Sequence, residues 1–127
     1  MTKQVCVFLA DGFEEIEGLT VVDLLRRAGV QVTTVSITGD LTIHGAHGID
    51  VLADILYEEM TYEKQDMVVL PGGMPGTLNL GAHAGVKAVL EQFYRERKIY
   101  CGNLRGAERA WQIRHFTWEK GDFLSGI

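Results

Sequence analysis

At 127 residues the chain suits one domain with a real core, and 46% hydrophobic with 23% charged residues is a globular balance. A net charge of -5 argues against nucleic acid as a partner, because such binders present a basic face. No apolar run approaches the ~20 residues of a membrane span, the start MTKQVCVFLADGFEE lacks the pattern of a signal peptide, and Cys6 and Cys101 make no disulfide framework, so a cytoplasmic, reducing location without membrane contact is expected.

The first element is the continuous apolar run Val5 to Ala10, broken by Asp11-Gly12. Such runs suit parallel strands buried on both faces. Glu14 to Ala28 follows with Ile16, Leu19, Val21 or Val22, Leu25 and Ala28 at helical spacing. Acids in its first turn (Glu14, Glu15, Glu17), Arg26 and Arg27 in its last, and Gly29 after it fit a helix dipole and a glycine cap. Val30 to Ile37 alternates and is rich in β-branched residues, which predicts a second strand and completes a βαβ unit. Between Thr38 and Asp54 the turn signals Gly39-Asp40 and His47-Gly48 separate short apolar pieces, read as small antiparallel strands. Asp66 to Leu70 is a third buried strand, ending in Pro71-Gly72-Gly73-Met74-Pro75-Gly76. A second long helix is predicted over about Ala84 to Arg97, with Val86, Val89, Leu90 and Phe93 on one face. After Lys98 no strand-like or helical period persists, and both tryptophans, Trp111 and Trp118, fall in this tail.

Three features carry chemistry. Glu17, at the helix start after the first strand, lies where ligands of open α/β sheets bind, beyond the carboxyl ends of strands. On spacing alone, service to the helix dipole explains Glu14, Glu15 and Glu17 more simply. The glycine pair in LPGGMPG exposes backbone N–H groups that can hold an anion or a developing oxyanion; a plain tight turn explains it equally well. It lacks the Lys-Ser/Thr ending of a phosphate loop and does not match the dinucleotide fingerprint. His44 and His47 form a His-x-x-His without a cysteine or carboxylate cluster in the sequence around it, so with His83 and His115 they read as ordinary surface histidines, and no metal is expected. Cys6, in mid-strand, reads as a small core residue.

VFLADGFEEIE, then GLTVVDLLRRAGVQVTTVSI, then DMVVLPGGMPGTLNL, in this order and spacing, resemble the DJ-1/PfpI family over residues 1–98. The resemblance implies an α/β fold, a flavodoxin-like parallel-sheet sandwich related to class I glutamine amidotransferases, here truncated after the second long helix. It also implies a homodimer, no cofactor, and a cysteine-dependent glyoxalase, deglycase or stress-response hydrolase acting on a small carbonyl-type substrate. Glu17 would be the acid that hydrogen-bonds the catalytic thiolate, and Gly72 and Gly73 the backbone donors beside it. The family nucleophile stands at a strand-to-helix elbow within a pattern like A-A-I-C-A-A-P, where the helix N-terminus lowers the thiol pKa.

That elbow is absent here. Cys101 falls slightly too early, and Gly102-Asn103-Leu104-Arg105 does not rebuild the pattern. Reading the tail's codons one base later turns Lys98 onward into K-Y-I-A-A-I-C-A-A-P, with wobble bases free and a cysteine codon spanning Leu104 and Arg105. Some outcomes are forced: Trp111 and Trp118 become Gly, and Gln112, Glu119 and Lys120 become Lys or Arg. The expectation is therefore an incomplete domain over residues 1–98 and a frameshifted tail over 99–127, with the chain as written inactive for want of its nucleophile. A chaperone-like or binding module is the alternative, since uncovered apolar faces favour partners. A flavin binder is disfavoured by the lack of a Ser/Thr-rich phosphate loop after the first strand.

Overall fold

The computed structural model describes residues 2–102 and 124–125. Strands β1 (Gln4–Leu9), β2 (Gln31–Ser36), β5 (Ile55–Leu56), β6 (Met67–Leu70), β7 (Ile99–Gly102) and β8 (Leu124–Ser125) form one sheet in the order β5-β2-β1-β6-β7-β8. All neighbours are parallel except β7 and β8. β3 (Thr42–His44) and β4 (Asp50–Leu52) make a separate antiparallel hairpin. The described residues also form three α-helices, α1 (Glu15–Arg27), α2 (Gly76–Ala82) and α3 (Ala84–Arg95), and two short 3-10 helices, Tyr57–Glu59 and Tyr62–Lys64.

β1 is central, and its unbroken apolar sequence follows from burial on both faces. Its alternate side chains divide the core in two. Cys6, Phe8 and Ala10 join Val68, Leu70 and Tyr100 against Val86, Val89, Leu90 and Phe93 of α3. Val5, Val7 and Leu9 join Val69, Phe13 and Val22, with Val21 and Leu25 of α1 and with Cys101 packed against them.

α1 starts where expected. The Glu14 side chain accepts from the Ile16 N–H, Glu15 and Glu17 occupy the first turn, Arg26 and Arg27 the last, and Gly29 follows at φ +82°. Its apolar periodicity is only half inward: Val22 is buried, whereas Ile16 is 74% exposed and Leu19 also faces out.

Departures from the sequence reading include α2, the end of α3, β5 and β7. α2 was not foreseen, because glycines and prolines at its start read as an extended turn; Pro75 is its N-cap. α3 ends at Arg95, since Arg97 takes φ +58° and turns the chain out of the helix. β5 is too short for a periodic signal and is held by parallel pairing to Val35 and Ser36. Finally, a strand does follow Lys98: β7 pairs with β6 from Met67↔Ile99 to Leu70↔Gly102. Four residues carry little periodicity, so pairing to a neighbour decided it. The elbow positions at Leu104 and Arg105, Trp111, His115, Trp118 and the rest of 103–123 lie outside the described residues.

Candidate active site

The two glycine-bearing loops of the sequence meet at the carboxyl ends of β1 and β6. The Glu14 N–H donates to the Gly72 carbonyl at 2.8 Å, and the Gly76 N–H donates to the Gly12 carbonyl at 3.0 Å. Gly73 has φ +105°, and a Cβ there would collide with the Glu14 nitrogen and lie 2.9 Å from the Phe13 carbonyl carbon. Only glycine permits both that conformation and that approach. The loops are thus locked together, and the start of α1 is fixed against the end of β6.

Beside this junction is an apolar cavity of about 270 Å³, whose walls include Ile16, Glu17, Val69, Pro71, Gly72 and Cys101. Its position beyond the strand ends is where open α/β sheets hold ligands. The structure therefore brings Glu17, half-buried on the first turn of α1, and Gly72 to one cavity. Gly73 stands one residue on, outside the wall, where its carbonyl accepts from the Thr77 N–H at 2.8 Å.

Cys101 lines the same cavity from β7, half-buried. Burial pushes its thiol pKa up. A reactive thiol needs the opposite shift, from a helix N-terminus or a nearby cation. Cys6 is fully buried at the centre of the sheet and its thiol is raised far more strongly, as expected of a core residue.

The histidines correct the sequence reading, because carboxylates do accompany them. Glu15 is 3% exposed and accepts from the His47 N–H (2.8 Å), the His47 ring Nδ1 (3.0 Å) and the Ile49 N–H (3.3 Å). Loss of hydration alone would raise its pKa; hydrogen bonds from its own N–H, the His47 ring, and the His47 and Ile49 N–H groups outweigh this and hold it at about 2. The Glu15 hydrogen bond and the charges of Glu14 and Glu15 raise the pKa of His47. Glu15 thus ties the β3–β4 turn to the head of α1, a role beyond the helix dipole. His44 pairs instead with Asp50 across the hairpin, at 2.7 Å. His83 caps α3 by accepting from the Val86 N–H, and burial lowers its pKa. No local sequence signal joins Glu15 to His47, 32 residues away.

A parallel sheet flanked by helices, with a glycine-locked cavity at its strand ends and a glutamate on the first turn of α1, defines a flavodoxin-like α/β protein. The DJ-1/PfpI family model matches residues 3–102, and the chain belongs to that family. Protein dj-1beta of Drosophila melanogaster is 37% identical over 81 residues, 64% of this chain and 43% of that protein. A cysteine-to-alanine mutant of a DJ-1 superfamily protein from Salmonella typhimurium superposes with a TM-score of 0.80 at 35% identity, covering 86% of this chain and 59% of that one. Oxidised DJ-1 of Toxoplasma gondii gives 0.77 at 32% identity, covering 80% and 55%. The chain spans about half the length of these solved relatives and 17% to 48% of the plant, fly and fish proteins it matches. Among the described residues no helix is long and apolar enough to cross a membrane.

Proposed function

We propose that the intact parent of this chain is a cysteine-dependent DJ-1/PfpI enzyme acting on small reactive carbonyls or their protein adducts. The observation that carries this reading is the single cavity shared by Glu17, Gly72 and the end of β7. A cysteine at an elbow just beyond β7 would open onto that cavity. Glu17 would donate to or orient the thiolate, and the Gly72 and Gly73 N–H groups would receive the negative charge that develops on the carbonyl oxygen. That relatives were solved as a cysteine-to-alanine mutant and in an oxidised form fits a family whose chemistry centres on a thiol.

The chain as written is inactive in this reading. In it the reading frame shifts by one base after Lys98, while the family match itself runs on to residue 102, and Cys101 has a thiol raised by burial rather than activated. The deciding assay is methylglyoxal turnover, followed by loss of the carbonyl and appearance of lactate. The chain should show none above buffer. A chain carrying the K-Y-I-A-A-I-C-A-A-P reading after Arg97, with the rest of the shifted tail, should gain thiol-dependent turnover that Glu17→Gln reduces. Turnover by the chain as written, undiminished by Glu17→Gln, would overturn the proposal.

A second reading, a non-enzymatic binding or chaperone-like module that pairs as a homodimer in the family manner, draws on the apolar side chains left outward. Ile16, Leu24 and Leu52 are 74%, 59% and 72% exposed. Suppression of client aggregation by the chain, without carbonyl turnover, would favour it.

A further inference from the structure

The head of α1 carries negative charge that the described residues do not balance. Glu15 is almost fully buried and Glu14 beside it is part-buried. Among the described residues no lysine or arginine pairs with either: Arg26 goes to Asp54, Arg27 to Asp23 and Lys98 to Glu96. Buried charges are normally paired or bound to a metal. The side chain that meets both carboxylates is His47. The N-terminus of α1 supplies only about half a positive charge, so with a neutral His47 a deficit of about one and a half charges remains.

The donor atoms are already grouped as a cation would need them. Nδ1 of His47 lies 3.0 Å from Oε1 of Glu15 and 3.4 Å from Oε2 of Glu14. One donor atom from each of the three residues lies within 4.8 Å of the others. Zinc binds imidazole nitrogen and carboxylate oxygen at about 2.0–2.2 Å in a tetrahedron, which sets neighbouring ligand atoms about 3.3–3.6 Å apart. The two measured contacts fall in or close to that range, and the part-buried Glu14 supplies the remaining adjustment. Calcium and magnesium favour all-oxygen sets of six or more ligands. One imidazole with two carboxylates suits zinc or a similar first-row divalent ion.

The β3–β4 turn is built round the Glu15 carboxylate. Its other oxygen, Oε2, accepts from the N–H groups of His47 at 2.8 Å and Ile49 at 3.3 Å. That leaves Oε1 for an ion and fixes the carboxylate, as outer hydrogen bonds fix the ligands of metal sites. Gly45 closes over the same group, where a Cβ would collide with Cδ and Oε2 of Glu15. The His47 side chain is 67% exposed, which gives an ion its path from solvent and a water its place as fourth ligand.

We propose that Glu14, Glu15 and His47 form a zinc site with one open position, which clamps the β3–β4 turn to the head of α1. The ion takes the place of the proton on Nδ1 of His47, and where that proton is present it leaves to solvent. The site shares no residue with the walls of the Glu17 cavity and does not rest on the proposed carbonyl chemistry.

The test uses the full 127-residue chain, stripped of metal with a chelator and titrated with zinc alone by calorimetry at neutral pH. The expected result is 1:1 binding, about tenfold or more tighter than magnesium, with thermal unfolding moved upward by zinc. His47→Asn and Glu14→Gln should each weaken zinc binding about tenfold or more and cancel that shift. Both variants should fold, which far-ultraviolet spectra check. Glu15 keeps its two backbone hydrogen bonds in the first, and a glutamine at position 14 can still accept from the Ile16 N–H in the second. His44→Gln and Cys101→Ser should leave binding unchanged, since His44 pairs with Asp50 and Cys101 lies on β7. Cobalt in place of zinc should show visible bands of nitrogen and oxygen ligation without thiolate-to-metal charge transfer. No 1:1 binding, equal affinity for magnesium, or indifference to His47→Asn or Glu14→Gln would each overturn the proposal. So would loss of binding with His44→Gln or Cys101→Ser, or a thiolate band with cobalt. None of these readouts depends on carbonyl turnover, so the zinc site can fail while the proposed function stands, and the reverse.

Discussion

Replacement of Gly73 by alanine isolates the force that joins the two loops of the site. Gly73 and Gly29 both adopt positive φ, at +105° and +82°. An alanine at Gly29 would have no heavy atom within 4 Å of its Cβ, so only backbone conformation is charged against it, about 1–2 kcal/mol. An alanine at Gly73 meets the same conformational cost. In addition its Cβ meets the Glu14 nitrogen, the Phe13 carbonyl carbon at 2.9 Å and the Gly12 oxygen at 3.0 Å, all backbone that cannot swing aside. Forcing such a contact costs about 1–3 kcal/mol more. The expected totals are about 2–5 kcal/mol for Gly73→Ala and about 1–2 kcal/mol for Gly29→Ala, against a whole-domain stability of about 5–15 kcal/mol. Urea unfolding followed by circular dichroism reads both, with equal slopes required for the comparison. If Gly73→Ala costs no more than Gly29→Ala, the loops are not in the close contact that fixes Glu17 beside Gly72, and the account of the site fails.

Three further outcomes follow from the same geometry. Glu15 is held at about 2, below the ordinary carboxyl range near ~4.3, so its contribution to stability is present above that range and is lost as pH falls towards 2; Glu15→Gln should flatten the acid limb of a stability–pH curve, and an unchanged limb would discount the tie to His47. His47 moves the other way: its folded pKa is raised, so its protonated pairing stabilises below the ordinary value near ~6.5 and fades as pH rises through the raised one, which an NMR titration of its ring should show and Glu15→Gln should reduce, leaving the part due to Glu14. Alkylation of the native chain near pH 8 should modify Cys101 more slowly than a free thiol and leave Cys6 untouched until the protein unfolds; fast labelling of Cys101 would contradict the burial that raises its pKa.

Much of the fold was legible in the residues because local and global signals coincide. The apolar run of β1, the acids and arginines at the two ends of α1, the alternation in β2 and the pattern of α3 each state their own structure. The family too was legible, since ADGFEEIE and LPGGMPG keep their order and spacing. The resemblance implied that Glu17, Gly72 and Gly73 lie beside one thiolate, but residue spacing alone did not show Glu17 and Gly72 meeting at one cavity.

That meeting, and the remaining features, belong to tertiary structure. β5 and β7 exist because β2 and β6 supply hydrogen-bond partners, and segments of two and four residues carry too little pattern to announce themselves. α2 forms despite the glycines and prolines at its start because Leu80, on its buried side, enters the core. Glu15 looked like one of three equivalent acids at a helix start, yet only its carboxylate is buried against the β3–β4 turn, a pairing across 32 residues that no local window contains. Cys101 likewise was a cysteine near the right place. Its desolvated position on β7, set by the register with β6, raises its pKa where an activated thiol needs it lowered. Sequence determines what lies close along the chain, where chemistry is set by spacing; what lies close across the sheet depends on register and burial, and these exist only once the strands have paired.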